Sequence, residues 1–215
     1  MVRPAVALVV SLIPVAVLAQ GRPARDTLPP LLPRVEEIAL ARSAAPAQVS
    51  AQATVFVLER GGFVKAETGT NGVTCLVDRS QPASLEPHCY DAEGSRTILP
   101  IRLAEAAMRE RGLSKAEIAA AVDEGIKSGR FTLPSRAAMS YMMSSAQVLY
   151  NDSGRRVGAW KPHLMIYMPY IRPADLGLGG APADGLPMVD DAGGPLATVV
   201  IVVPAWVDPQ RPPRD

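Results

Sequence analysis

Residues 69–94, GTNGVTCLVDRSQPASLEPHCYDAEG, contain both cysteines of the chain, Cys75 and Cys89, and one of its two histidines, His88. The β-branched residues around Cys75 predict the end of a strand. The prolines that follow predict a long irregular connection, and connections of that length are usually functional or disordered. We therefore interpret this stretch as a loop that a disulfide closes at the end of a strand.

Two cysteines in an exported chain usually pair, so a disulfide between Cys75 and Cys89 is expected. Chain entropy values such a loop closure at about 3 kcal/mol. Two buried thiols are the alternative. A metal pair is disfavoured, because metal-binding cysteines usually stand roughly two to four residues apart.

Export is predicted by the first residues, where Arg3 precedes an apolar run over residues 5–18. This is the pattern of a secretory signal peptide, which we place at residues 1–19. A membrane anchor is the alternative, but a spanning helix needs about 20 apolar residues and Pro14 interrupts this run. The expected location is the periplasm or the extracellular space, with no membrane span after cleavage.

The rest of the chain predicts one domain between two irregular ends. Residues 20–33 are Pro-rich and predict a mobile tether, residues 34–207 a single domain, and residues 208–215 a disordered tail. The formal net charge is +1 and no basic run is present, which argues against a nucleic-acid partner.

Apolar patterning predicts an α+β fold. The first three strands, joined by tight turns, predict an antiparallel meander, and the continuously apolar last strand is expected at the centre of the sheet. Two helices at residues 99–111 and 115–128, with Thr97 as the first cap and a Ser114–Glu117 capping box opening the second, are expected to pack as a hairpin on one sheet face. The predicted strands are residues 52–58, 63–67, 73–77, 138–144, 163–168 and 198–203.

Alternation gives two of these strands a face rich in thioether, phenol and imidazole groups. That face carries Met139, Tyr141 and Met143 on the first strand, and His163, Met165 and Tyr167 on the second. If the strands pair, the faces could join, and thioethers with imidazole suit Cu(I). The alternative is that the methionines fill the core, which is their commonest role.

A second group of polar residues lies in the cysteine-bracketed stretch. It comprises Asp78, Arg79, Glu86, His88, Tyr90 and Asp91. His88 can act as a general base, and a meeting with His163 would permit a hydrolytic or metal site. The alternative is a solvated loop. No G-x-S-x-G, H-E-x-x-H, C-x-x-C or P-loop motif is present, so catalytic residues and cofactors stay unassigned.

Several of these segments resemble one group of small exported bacterial proteins to which no activity is assigned. The resemblance covers residues 71–170, with the segments Asn71-Gly72-x-Thr74-Cys75, Pro87-x-Cys89-x-Asp91, Met139-x-Tyr141-Met142 and Pro162-His163-x-Met165. Val73 stands where the group has Trp. The resemblance implies that these segments belong together, and it implies no chemistry.

Three functions are compatible with these patterns. The first is an exported, non-catalytic module for a small molecule or a soft metal. The second is a hydrolase or metal-dependent enzyme that uses His88 and His163, and the third is a structural envelope protein without a pocket. The predicted ligand-binding residues are His88, Tyr141, His163, Met165 and Tyr167, and the predicted metal ligands are Met139, Met143, His163 and Met165.

Overall fold

The computed structural model describes residues 31–179 and 185–210. The predicted signal peptide, the tether up to residue 30 and residues 211–215 of the predicted tail lie outside these ranges. The described residues form a mixed α/β fold of four α-helices and ten strands. The helices are α1 (Arg34–Arg42), α2 (Ala47–Ser50), α3 (Ala92–Glu110) and α4 (Lys115–Lys127), with a 3-10 helix at Pro173–Leu176. The strands are β1 (Thr54–Glu59), β2 (Gly62–Glu67), β3 (Thr74–Asp78), β4 (Glu86–Tyr90), β5 (Ala138–Met142), β6 (Leu149–Tyr150), β7 (Arg156–Gly158), β8 (His163–Tyr167), β9 (Met188–Asp190) and β10 (Thr198–Val202).

Eight strands form one large sheet in the order β2-β1-β3-β4-β5-β8-β10-β9, and β6 and β7 form a separate hairpin. Every neighbouring pair in the large sheet is antiparallel except β1 and β3, which are parallel. The predicted antiparallel sheet is therefore confirmed in its main character. The predicted central position of β10 is wrong, because β10 is next to the edge strand β9.

The predicted meander of the first three strands is also wrong. After β2 turns back along β1, the chain crosses the start of β1 and places β3 on its other side, parallel to it. Gly69 permits the crossing, since a Cβ at this position would stand 2.2 Å from the carbonyl oxygen of Gln52. The Thr70 N–H donates to that same carbonyl at 2.9 Å, and the Thr54 N–H donates to Val73 at 2.9 Å.

The disulfide is present, but it does not close a loop. Cys75 and Cys89 are directly opposite each other on β3 and β4, with Cα atoms 4.0 Å apart. The second half of the predicted irregular connection is the buried strand β4 and the first residues of α3. The disulfide therefore bridges two adjacent strands inside the sheet, and such a bond is typical of a non-reducing compartment.

Helices lie against both faces of the sheet. On one face α1 packs on β1, β3 and β4, where the core includes Val55, Val77 and the disulfide; we call this the α1 face. On the other, α3 packs on β2, β3, β4 and β5 around Leu76 and Tyr90; we call this the α3 face. Helix α4 packs against α3, through a third apolar cluster.

Two helix boundaries were tested by the structure with different results. The capping box of Ser114 and Glu117 is present at the start of α4. Helix α3, however, begins at Ala92, well before the predicted start, because the Asp91 carboxylate caps it by accepting the Gly94 N–H at 2.7 Å. The predicted cap, Thr97, lies inside α3 and is buried.

Candidate functional site

Strands β5 and β8 pair, but in a register that separates the two predicted faces. Met142 is opposite His163, Ser140 is opposite Met165, and Ala138 is opposite Tyr167. Directly opposite residues point to the same face of a sheet. His163, Met165 and Tyr167 therefore share the α3 face with Ala138, Ser140 and Met142, and not with Met139 and Tyr141.

The other predicted ligands lie elsewhere. Met139 and Tyr141 are opposite Ile166 and Leu164, on the α1 face. Met143 follows the end of β5, where its N–H donates to the Ala44 carbonyl at 2.9 Å. Three predicted ligands, His163, Met165 and Tyr167, therefore share one face of the sheet. The other three, Met139, Tyr141 and Met143, do not lie with them.

His88 joins the group on the α3 face. It lies on β4 opposite Leu76, and β4 pairs with β5 through Cys89–Tyr141 and Tyr90–Ser140. The next residues along these two strands are His88 and Met142. His88, Met142 and His163 therefore lie side by side on β4, β5 and β8, and we call these three residues the histidine row.

The histidine row is almost completely buried, with 7% of His88, 3% of Met142 and 7% of His163 exposed. Its more open end is at β8 and β10, where His163 is opposite Val202, which is 52% exposed. Of the residues directly opposite the row, Val202 is thus an exposed one, and it is next to His163.

Both imidazoles are neutral at physiological pH. Burial lowers the pKa of His88 to about 4, the positive charge of Arg102 acts in the same direction, and the negative charge of Asp78 acts against them. Burial also lowers the pKa of His163, against a hydrogen bond from its Nδ1 to the Lys161 carbonyl.

The hydrogen bonds of the two rings leave ligand atoms available. His163 Nδ1 is 2.7 Å from the Lys161 carbonyl oxygen, which can only accept, so Nδ1 carries the proton and the lone pair is on Nε2. His88 Nδ1 is 3.4 Å from the hydroxyl of Tyr90, on which the imidazole is stacked. Such fixed outer contacts orient imidazoles that bind metals.

Charged groups of α3 surround the buried end of the row. Arg109 pairs with Asp78 at 2.9 Å, and Arg102 pairs with Glu105 at 2.9 Å. Glu86 is opposite Asp78, and burial, followed by this negative neighbour, raises the pKa of its carboxyl against a hydrogen bond from Ser80. Arg109 and Arg102 are thus each paired with a carboxylate, so the charged groups near the histidine row are largely neutralised by one another.

Two buried hydroxyls on the α3 face have no hydrogen-bond partner among the described residues. They belong to Ser140, the next inward residue on the same face as Met142, and to Tyr167. An unpartnered buried hydroxyl costs about 1–3 kcal/mol, which a polar group of a ligand can recover. Ser140 lies in the middle of β5 and Tyr167 at the far end of β8, so these hydroxyls continue the polar groups of the α3 face along both strands.

A shallow pocket of about 240 Å³ opens at the other end of β8, lined by residues 134–137 and by Tyr167 and Met168. It contains neither histidine, and its volume is below the range of about 300–1,000 Å³ typical of sites for drug-sized ligands. We therefore assign the candidate site to the histidine row.

The cysteine-bracketed residues do not form a loop-borne site. Arg79 forms a buried ion pair with Glu37 of α1, Asp91 caps α3, and His88 and Tyr90 lie within β4. Sequence reasoning missed Met142, Ser140 and Arg102. No local pattern could have identified them, because their positions depend on which strand pairs with which and in what register.

Comparison of the chain with family models, curated proteins and solved structures found no match. In the described part of the chain no helix is long and apolar enough to cross a membrane. The same residues contain no group of three or more His, Cys, Asp or Glu side chains placed to hold a metal ion. The donors that the fold does align at the site are two imidazoles and one thioether.

Proposed function

We propose that the protein is an exported, non-catalytic module that binds a small ligand or a soft cation at the histidine row. The observation that carries this proposal is the alignment of His88 and His163 on one face of the sheet, on either side of Met142. Both histidines of the chain are in this row. Two neutral imidazoles held by fixed contacts are preorganised for binding.

Binding is favoured over hydrolysis by the partners of the two rings. A nucleophilic mechanism needs a serine, cysteine or threonine within hydrogen-bond reach of its base. The Nδ1 atoms of His88 and His163 contact a tyrosine hydroxyl and a backbone carbonyl, and both cysteines are consumed by the disulfide. Among the described residues, no serine, threonine or cysteine side chain is hydrogen-bonded to either ring.

Export is part of the proposal. It is supported by the leader-like first residues and by a disulfide between strands, which is characteristic of oxidising compartments. N-terminal sequencing of the protein recovered outside the cytoplasm should begin at or near Gln20. An intact Met1 in that fraction would contradict the predicted cleavage.

The two histidines allow a direct test of binding. In ¹⁵N-labelled protein, imidazole NMR should give one set of signals for His88 and one for His163. Titration with Ag(I), Cu(I) and Zn(II) should move both sets together for at least one ion, and should protect β5 and β8 amides from hydrogen exchange.

The variant His163→Gln should abolish the coupled shift while leaving the fold intact. If none of these ions shifts the signals of either imidazole, and none raises the melting temperature of the protein, the histidine row does not bind cations. That result would refute the proposal that the protein binds a soft cation. Hydrolysis of an activated ester that is lost in both single histidine variants would favour the enzymatic alternative.

A further inference from the structure

We infer that the histidine row is a Cu(I) site in which Met142 supplies a thioether ligand between His88 and His163. This inference rests on the proposed function and names its ligand. It differs from the sequence-based set of ligands, because the register of β5 and β8 replaces Met139 and Met143 by Met142.

The first argument is the chemistry of the available donors. Cu(I) is a soft cation that accepts both thioether sulfur and imidazole nitrogen. Zn(II) shares the preference for imidazole but takes its sulfur ligands as thiolates, and hard cations prefer oxygen ligands, so the thioether is the donor that favours Cu(I). Both cysteines form the disulfide, so neither offers a thiolate. The row combines two uncharged nitrogen ligands with one uncharged sulfur ligand, which suits a monovalent cation in a buried site.

The second argument is distance. Neighbouring strands are about 4.8 Å apart, so the backbones that carry His88 and His163 are separated by roughly 10 Å with β5 between them. Metal–nitrogen bonds of about 2 Å require the two ligating nitrogens to lie within roughly 4 Å of each other. The remaining difference of about 6 Å is shared by the two side chains, so each imidazole has to incline toward Met142 by about 3 Å. This displacement is shorter than the distance that a histidine side chain spans from its Cα to its ring nitrogens.

The third argument is the position of the row at the end of the pairing between β4 and β5. Met142 lies next to the point where β5 leaves β4, because the Met143 N–H donates to Ala44 instead of to β4. This departure leaves the side chains of His88 and Met142 just beyond the last paired residues of the two strands. On the other side of the row, the strand neighbour of His163 is the half-exposed Val202.

The test uses the mature protein with its disulfide closed and Cu(I) supplied as its acetonitrile complex under anaerobic conditions, so that no thiol reductant is needed. Cu(I) affinity is measured by competition with bicinchoninate for the parent and for Met142→Leu, His163→Gln and Met139→Leu. Met139→Leu is the matched control, since Met139 is on the same strand but points to the α1 face.

Loss of a ligand should cost at least as much affinity as loss of an outer contact, which is roughly 10–100-fold. We expect Met142→Leu and His163→Gln to weaken Cu(I) binding by at least this factor, and Met139→Leu to leave it unchanged. X-ray absorption at the copper edge should show a sulfur neighbour in the parent. In selenomethionine-labelled parent protein it should show a selenium neighbour, which tests the thioether even if Met142→Leu does not fold.

The outcomes separate the two levels of the proposal. Cu(I) bound with nitrogen neighbours alone, and with unchanged affinity in Met142→Leu, overturns the thioether site but keeps the histidine row as a binding module. Equal losses in Met142→Leu and Met139→Leu also overturn the inference, because the control methionine cannot reach the row. Absence of any Cu(I), Ag(I) or Zn(II) binding overturns both the thioether site and the proposed function of the histidine row as a cation site.

Discussion

Removing one partner of the buried ion pair between Glu37 and Arg79 should be among the most destabilising single substitutions in this domain. The Glu37 side chain is 0% exposed and that of Arg79 is 4% exposed. The carboxylate accepts two hydrogen bonds from the guanidinium, each 3.1 Å long, and one from the Leu58 N–H at 2.9 Å. The pair therefore joins α1 to the ends of β1 and β3.

Glu37→Gln keeps the size of the side chain and an oxygen for the Leu58 N–H, but it leaves the guanidinium of Arg79 buried without a counter-charge. Removing one partner of a buried pair costs about 3–5 kcal/mol. For a domain of this size that loss corresponds to a decrease in melting temperature of roughly 6–20 °C. The helix propensities of Glu and Gln are nearly equal, so the loss comes from the pair.

The assay is urea unfolding of the disulfide-intact protein, with Glu36→Gln as the matched control. Glu36 is in the same first turn of α1 but is exposed, so its substitution reports only the interaction with the helix dipole, about 0.3–1 kcal/mol. A difference between the two variants below about 1 kcal/mol would refute the reasoning. The double variant Glu37→Leu with Arg79→Met should recover most of the loss, because it leaves no buried charge.

Two further predictions concern the disulfide and the start of α3. Replacing Cys75 and Cys89 together by Ala should lower the free energy of unfolding by about 2–5 kcal/mol, and an unchanged urea midpoint would contradict this. Although burial acts to raise it, the pKa of Glu93 is lowered by a backbone N–H of the segment after α4 and by neighbouring arginines. Stability from this carboxylate is present above its unfolded pKa and is lost as the pH falls through the lower folded value. The parent should therefore lose more stability than Glu93→Gln between about pH 5 and pH 3, and parallel pH profiles would exclude the effect.

Local sequence signals predicted local structure well. The Ser114–Glu117 capping box opens α4, and Gly129 follows its C-cap with a φ of 76°, as a helix stop requires. The pairing of Cys75 with Cys89 was also predicted correctly. These features depend on residues close together in the chain, so their physics is contained in the sequence pattern.

Pro87 explains why the sequence predicts an irregular segment where the structure has β4. Proline is normally confined to sheet edges because it cannot donate to a ladder, yet β4 lies between β3 and β5. The Asp91 N–H points to β5 and donates to Met139 at 2.8 Å, and alternation turns Pro87 to the same side. The last paired residues of β4 and β5 are Cys89 and Tyr141, so Pro87 lies beyond the end of this pairing. No carbonyl of β5 therefore needs a hydrogen bond from the backbone nitrogen of Pro87.

Pro100 had a similar effect on α3. Pro100 lies in the first turn of the helix that the sequence predicts at residues 99–111, a position where proline costs nothing. The actual cap is Asp91, and Pro100 lies in the helix interior, which usually costs about 3 kcal/mol. Ile98 and Ile101, on either side of Pro100, are buried, and burying an apolar side chain of this size stabilises a fold by about 1.5–3 kcal/mol. Such burial depends on the tertiary fold and is not visible in the local sequence pattern.

The candidate site depends on register, which is the least predictable feature of a sheet. The sequence correctly predicts which residues of β5 share a face and which residues of β8 share a face. It does not predict how the two strands pair, and a shift of one residue in that pairing moves every side chain of one strand to the other face of the sheet. The observed pairing of Met142 with His163 brings Met142 to the row and removes Met139.

The disulfide contributes to the same alignment, because pairing Cys75 with Cys89 fixes β4 on β3, and thereby holds His88 on the α3 face opposite Leu76. Its influence on the site is therefore exerted through strand register and not through closure of a loop. It follows that the double alanine variant should disturb the imidazole of His88 more than that of His163, whose position is set by β5 and β10.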